Sequence, residues 1–205
     1  MAYDTLATDE RILKTAGSLK ANNFEPIIVE TKEEALAKVK ELIPAGSTVM
    51  NGASVTLEEI GYIPYLKSGS HGWVNLHEAI LAEKDPKKAS LLRKHSTASD
   101  FYLGSVHALT EDGQFLIASN TGSQMPGIAF NADNLIFVVS SQKIVPDISE
   151  GFKRIDIHIL PLEDARMMKA YGAHTNHSKT LIYHKERPNS GRTIRLIIVK
   201  EKLGF

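Results

Sequence analysis

The chain has 205 residues, 42% of them hydrophobic and 23% charged, which is ordinary for a folded globular protein and far from the composition of a disordered segment. Lys plus Arg number 24 and Asp plus Glu number 24, so no net field draws the chain to nucleic acid or to an anionic membrane, and any anion site has to be local. There is no cysteine, which excludes disulfides, thiolate nucleophiles and iron–sulfur clusters held by the chain's own thiolates.

At this length one core can bury roughly 70% of the unfolded surface, and a single domain over residues 1–205 is the expected organisation. The opening MAYDTLATDERILK holds acidic residues and no apolar leader core. No window approaches 18 uninterrupted apolar residues, so no membrane insertion is expected and the cytoplasm is the default location.

Residues 8–22 place Ile12, Ala16 and Leu19 on one face, as an amphipathic helix does. The run Pro26-Ile27-Ile28-Val29 reads as a strand, and Thr31 with Glu34 three residues on is a capping box opening a helix through Ile43. Ser47-Thr48-Val49-Met50 is a second buried strand, running into Asn51-Gly52-Ala53-Ser54. Thr56 and Glu59 have the spacing of another capping box, with Val55 and Ile60 as its hydrophobic staple. Asn75 with Glu78, and Asp85-Pro86, mark two further helix starts, the second helix reaching about His95.

From Phe101 the texture is β. Residues 106–110 and 115–118 flank Glu111-Asp112-Gly113, an Asp-Gly hairpin signal. Leu135-Ile136-Phe137-Val138-Val139 is apolar without alternation, as for a central strand covered on both faces. Ile155, Ile157 and Ile159 alternate with Asp156 and His158 and predict a strand with one wetter face. Pro161 then opens a helix ending at Tyr171-Gly172, and residues 193–199 form a last strand. The stretch 174–192, rich in His, Lys, Asn, Ser and Gly, predicts a mobile loop, within which Leu181-Ile182-Tyr183 could pair locally. The alternation of strands and helices points to an α/β fold with a mostly parallel, doubly wound, Rossmann-type sheet carrying an antiparallel hairpin.

Ligands of open α/β sheets collect beyond the carboxyl ends of strands. Three segments meet that condition. In residues 51–56 a glycine lets backbone approach a ligand and a helix start offers unpaired N–H groups, although capping alone would also explain Thr56 and Glu59. In residues 118–124, ASNTGSQ, hydroxyls, amides and N–H groups can surround an anion, the alternative being a polar surface turn. Gly122 is the residue whose positive φ would turn N–H groups inward. In Ser140-Ser141-Gln142-Lys143 the lysine is the one cation expected at the ligand-facing end, unless it is simply solvated. One helix N-terminus contributes only about 0.3–1 kcal/mol whereas micromolar binding needs about 8 kcal/mol, so these segments would have to act together. The scattered His174, His177 and His184 give no fixed metal-ligand pattern, and they are expected to lie outside the site. Neither GxGxxG nor GxxxxGK[ST] occurs.

Taken together, GASVTLEEIG, DFYLGSVHALTEDGQFLIASNTGSQMPG, VVSSQKIVPD, LPLEDARM and EKLGF resemble the lactate-utilisation (LUD) family, in particular its short cysteine-free C-subunit type. The resemblance runs from about Gly46 to Phe205, and residues 1–45 carry little of it. It implies a fold similar to that of ribose-5-phosphate isomerase and the coenzyme A transferases. It also implies a place beside an iron–sulfur redox subunit and a second redox subunit in oxidising L-lactate to pyruvate, with a small carboxylate as ligand and no cofactor bound by this chain alone. The family establishes no catalytic residues, so residues on its motifs are candidates for ligand binding: Gly52, Ser54, Thr56, Gly104, Ser105, Ser119, Asn120, Thr121, Gly122, Ser123, Gln124 and Lys143. The same fold leaves a free-standing isomerase, transferase or cyclo-ligase as the alternative.

Overall fold

The computed structural model describes residues 3–205. Its larger sheet has six strands, all paired in parallel: β1 (Glu25–Val29), β2 (Thr48–Asn51), β3 (Val74–Asn75), β4 (Phe101–Gly104), β7 (Asn134–Ser140) and β10 (Thr193–Val199). They lie in the order β1-β10-β7-β4-β2-β3. A second sheet, in the order β8-β5-β6-β9, contains β5 (Ala108–Thr110), β6 (Phe115–Ser119), β8 (Ile144–Val145) and β9 (Lys179–Tyr183). The Asp-Gly hairpin is the antiparallel pair of β5 with β6. Gly113 turns it at φ +80°, and a Cβ there would lie 2.6 Å from the Ser18 backbone, so both conformation and space call for glycine.

Local capping sets most helix starts. In α1 (Asp9–Ala21) Thr8 accepts from the Arg11 N–H, in α2 (Lys32–Leu42) Thr31 accepts from Glu34, and Glu34 returns a bond to the N–H of Glu30. Helix α3 (Val55–Glu59) is capped by Ser54, and a short α4 (Tyr62–Ser68) follows it. Asn75 and Asp85 cap α5 (Leu76–Ala82) and α6 (Pro86–His95) as the spacing predicts.

Alternation along β7 decides the layers. Leu135, Phe137 and Val139 pack with Ile12 and Leu19 of α1 and with Phe115 and Ile117 of the second sheet. Ile136 and Val138 face the other way, onto Ala35 and Val39 of α2 and Leu57 of α3. This double burial is why the strand reads as an unbroken apolar run. The far face of the second sheet, through Ala108, Leu116 and Val145, covers Ile155 and Ile159.

Those two isoleucines overturn the strand expected at 155–159. Residues Ile155–Ile159 form a wide helical turn joining α7 (Ile148–Arg154) to α8 (Leu160–Tyr171), with the Leu160 N–H bonded to the Ile155 carbonyl five residues back. Ile155 and Ile159 share the buried face while Ile157 is 68% exposed, so the spacing that mimics strand alternation is an i, i+4 pair on one helix face. Pro161 accordingly sits within a continuing helix rather than opening one. In the stretch 174–192, Leu181, Ile182 and Tyr183 do pair, but with β6, as an added strand rather than among themselves.

Candidate functional site

A cavity of about 460 Å³ opens where the carboxyl ends of β2, β4 and β7 meet the end of β6. Residues 51–56 after β2 line it, as do Gly104 and Ser105 after β4 and Lys143 after β7. From the second sheet come Ser119, Asn120, Thr121, Ser123 and Gln124. The three segments expected to share a crevice therefore share one, and Gly122 alone of the sequence-derived candidates is absent from its wall.

Lys143 is 4% exposed, and its Nζ donates to Thr56 Oγ1 at 3.0 Å and to Ser105 Oγ at 3.1 Å. Both partners are neutral hydroxyls, and no carboxylate lies within ion-pair distance of the ammonium among the described residues. Burial first, and then the Arg154 guanidinium, hold the Lys143 pKa down at about 7; Glu59 acts weakly in the opposite direction. This contact also corrects the capping expected of Thr56. The cap of α3 is Ser54, whose hydroxyl accepts from the Leu57 N–H, so Thr56 lies inside the helix and turns its side chain to the lysine. Val55, the first residue of the helix, is not a staple position. Glu59 caps nothing locally either: its carboxylate accepts the Gly204 N–H at 2.6 Å.

The loop carrying Lys143 is tied to residues 201–204. Ser140 Oγ donates to the Glu201 carbonyl, and Gln142 Nε2 donates to the carbonyls of Leu203 and Gly204. Gly204 thereby rests against the site at φ +62°, where a Cβ would stand 3.1 Å from Lys143 Nζ. The motifs SSQK and EKLGF, far apart in sequence, are thus two halves of one structure.

Behind Lys143 stand two more buried bases. Arg154 is wholly buried; its guanidinium donates to the carbonyls of His107 (2.5 Å) and Tyr3 (3.4 Å), and its Nε has no partner among the described residues. His107 lines the cavity and accepts the Ala118 N–H at Nδ1, which leaves the proton on Nε2. Desolvation, then the charges of Lys143 and Arg154, push its pKa down to about 3, so it is a neutral donor at physiological pH. Across the wall, Arg166 is neutralised by a bidentate pair with Glu163 at 2.7 Å, while Arg93 pairs with no carboxylate among the described residues. Asn51, 3% exposed, contributes a carbonyl oxygen without a hydrogen-bond partner.

Gly122 takes positive φ, at +79°, as its role requires, but its N–H does not turn inward. It donates to Ser119 Oγ at 2.9 Å, while Ser123 N–H goes to Thr121 Oγ1 and Met125 N–H to the Gly122 carbonyl. The loop closes on itself and presents side chains, rather than a nest of N–H groups, to the cavity.

The histidine segment is not outside the site. Thr175, Asn176 and His177 line the cavity. His177 Nδ1 meets Asp156 at 2.6 Å and its Nε2 meets Thr180 Oγ1 at 2.5 Å; His174 binds Asp164, and His184 binds Gln114. Among the described residues no three His, Asp or Glu side chains gather as a metal site would require. Among the polar wall residues, His107 and Arg93 were not singled out from the sequence, His177 was expected outside the site, and Asn51 was included only as part of the segment 51–56. A signal existed for His107, since it lies within the quoted motif GSVHALTEDG.

A family model described as the LUD domain matches residues 12–197, reaching well before Gly46 into α1, β1 and α2. None of the curated proteins matches the chain. Among solved structures, a DUF162 family protein from Deinococcus radiodurans is similar with a TM-score of 0.54 and 14% identity, over 95% of this chain and 99% of that one. At that identity the likeness speaks for the fold alone.

Proposed function

From the premise that the chain belongs to the LUD-domain family, whose members are associated with lactate utilisation, we propose that it is an accessory subunit supporting the oxidation of L-lactate to pyruvate, with a small carboxylate bound in the cavity. The observation that carries this reading is Lys143, a buried cation facing a cavity, bonded to hydroxyls and, among the described residues, with no carboxylate within ion-pair distance. Taking a lysine out of water without a counter-ion is costly, and an anionic ligand would supply the missing charge. The hydroxyls of Ser54, Ser119 and Thr121, the amide of Gln124 and the unpaired Arg93 add donors without adding a competing negative charge. The electron-carrying groups belong, in this proposal, to an iron–sulfur partner, since the chain has no thiolate to hold a cluster. The setting is cytoplasmic; among the described residues no helix is long and apolar enough to cross a membrane.

A second reading is favoured by size. The cavity volume falls in the range of about 300–1,000 Å³ usual for drug-sized ligands, and Ile128, Ile155, Ile159 and Leu160 give it an apolar wall that a three-carbon acid would not fill. A free-standing isomerase, transferase or cyclo-ligase acting on a phosphorylated, folate or acyl substrate would use that wall. Thermal melting of the purified chain with L-lactate, pyruvate, a sugar phosphate, a folate and an acyl-coenzyme A decides between them. A ligand at 100 times its dissociation constant adds about 2.7 kcal/mol of stability. Stabilisation by lactate or pyruvate, lost in Lys143→Ala, is expected; stabilisation by only a larger ligand transfers the protein to the second reading.

A further inference from the structure

The surroundings of Lys143 suit a reacting amine as well as a bound charge. A neutral amine has two N–H bonds and one lone pair. Here the two hydroxyls of Thr56 and Ser105 take the two N–H donors, so the lone pair is what remains free of them. Space at the nitrogen is kept by Gly204, whose missing Cβ would otherwise stand 3.1 Å from Nζ. The nearby Arg154 guanidinium disfavours the ammonium, being wholly buried and, among the described residues, without a carboxylate partner; Glu59, bonded to the Gly204 N–H, opposes it more weakly. Asn51 Oδ1, buried and unpartnered, is an acceptor awaiting a hydroxyl in the same cavity, and the neutral His107 ring lines it too.

We propose that Lys143 is a covalent carbonyl site, its Nζ condensing with the carbonyl carbon of a 2-oxo acid held in the cavity to form a Schiff base. The inference rests on the reading of the cavity as a carboxylate site and narrows its ligand from carboxylates in general to 2-oxo acids. The Nζ lone pair attacks the carbonyl carbon, and the carbonyl π electrons move to oxygen. One proton passes from nitrogen to that oxygen to give the neutral carbinolamine; a second, from solvent, lets the hydroxyl leave as water as the nitrogen lone pair forms the C=N bond, and the protonated imine keeps the last N–H. No oxidant or reductant enters. Thr56 and Ser105, already hydrogen-bonded to Nζ, hold the amine and pass protons between nitrogen and oxygen, and Asn51 accepts from the carbinolamine hydroxyl. A 2-hydroxy acid has no keto carbonyl at C2 and can only compete. The site therefore distinguishes the two redox states of one carbon skeleton, retaining the oxidised one.

Burial and Arg154 bring the Lys143 pKa down to about 7, so about half of the amine is neutral at pH 7, against about one in two thousand for a surface lysine of ordinary pKa. The test incubates the full chain with pyruvate and cyanoborohydride, which reduces the imine to a stable secondary amine, and then measures intact mass and maps the modified peptide. The expected result is one adduct per chain on Lys143, formed at least about a hundredfold faster than on any surface lysine. L-lactate should suppress it, and its rate should rise with pH through about 7. Lys143→Arg, which keeps a cation but has no amine that condenses with a carbonyl, should give no adduct, while the surface lysines should react as slowly as in the wild-type chain. Should that variant fail to fold, the peptide map and the lactate competition in the wild-type chain decide alone. Saturable pyruvate binding without an adduct on Lys143, or adducts confined to surface lysines and indifferent to lactate, overturns the Schiff base and leaves the carboxylate reading standing. Absence of binding by either acid overturns both.

Discussion

Lys143 and His177 border one cavity, yet the two are partnered in opposite ways. Lys143 is buried and meets only hydroxyls. His174 and His177 are each met by an aspartate, Asp164 with a half-buried side chain and Asp156 with an exposed one. The Thr175 N–H, and then His174, hold the Asp164 carboxyl below its ordinary range. A pair of this kind at the surface adds little to stability, and its two groups satisfy each other. An unpaired buried cation is a cost that the fold carries continuously, and a ligand can relieve it. In the proposed reading the lysine therefore binds the ligand and His177 borders it.

The sharpest way to break the comparison is Lys143→Met, which replaces the cation by an apolar chain of similar volume. Anion binding should fall by about 1.5–3 kcal/mol, the value of a charge-assisted hydrogen bond, measured by calorimetric titration. Stability should move the other way. The folded pKa of Lys143, about 7, lies below its unfolded value, so between about pH 7 and pH 10.5 the unfolded chain binds more protons. Wild-type stability contributed by this group therefore rises with pH across that window, by at most about 1.4 kcal/mol per unit. The variant should be the more stable at pH 7 in chemical denaturation, and its advantage should vanish towards pH 10.5. A variant less stable than wild type at pH 7 would mean that the lysine is not an uncompensated charge.

Gly122→Val should come next. At φ +79° a side chain costs about 1–2 kcal/mol, and its Cβ would stand 2.8 Å from Lys179 Cδ. Because the Gly122 N–H serves the loop and not the cavity, binding should weaken by about tenfold through displacement of Ser119 and Gln124 rather than disappear. Ser54→Ala removes the cap of α3 and should lower stability by about 1 kcal/mol in thermal or urea melts, with binding reduced in step. At the histidine end, His177→Ala should reduce binding by only about twofold to threefold, within the roughly 0.5 kcal/mol typical of a site away from the buried charge, and His174→Ala not at all. A loss on His177→Ala that matches Lys143→Met would abolish the distinction between the two regions.

What could be read from the sequence was whatever depends on neighbours a few residues apart. Thr8, Thr31, Asn75 and Asp85 cap helices because a short side chain reaches an N–H two or three residues on. The Asp-Gly turn forms its hairpin, and the unalternating residues of β7 lie mid-sheet, because turn conformation and two-sided burial leave a local signature. The rule that loops beyond strand ends face ligands brought the right three segments to one cavity. Tertiary structure decided the rest. Ile155 to Ile159 obey a period of two and of four equally well, and only the second sheet packing against Ile155 and Ile159 selects the helix. Thr56 has the spacing of a cap, yet Ser54 is better placed for it, and Thr56 finds a lysine 87 residues away. The Lys143 loop is held by Leu203 and Gly204, and His177 reaches the cavity through β9 pairing with β6. Each of these contacts joins segments whose separation along the chain carries no periodicity. Their cause is the closing of two sheets and the long helix over one another, which no window of the sequence contains.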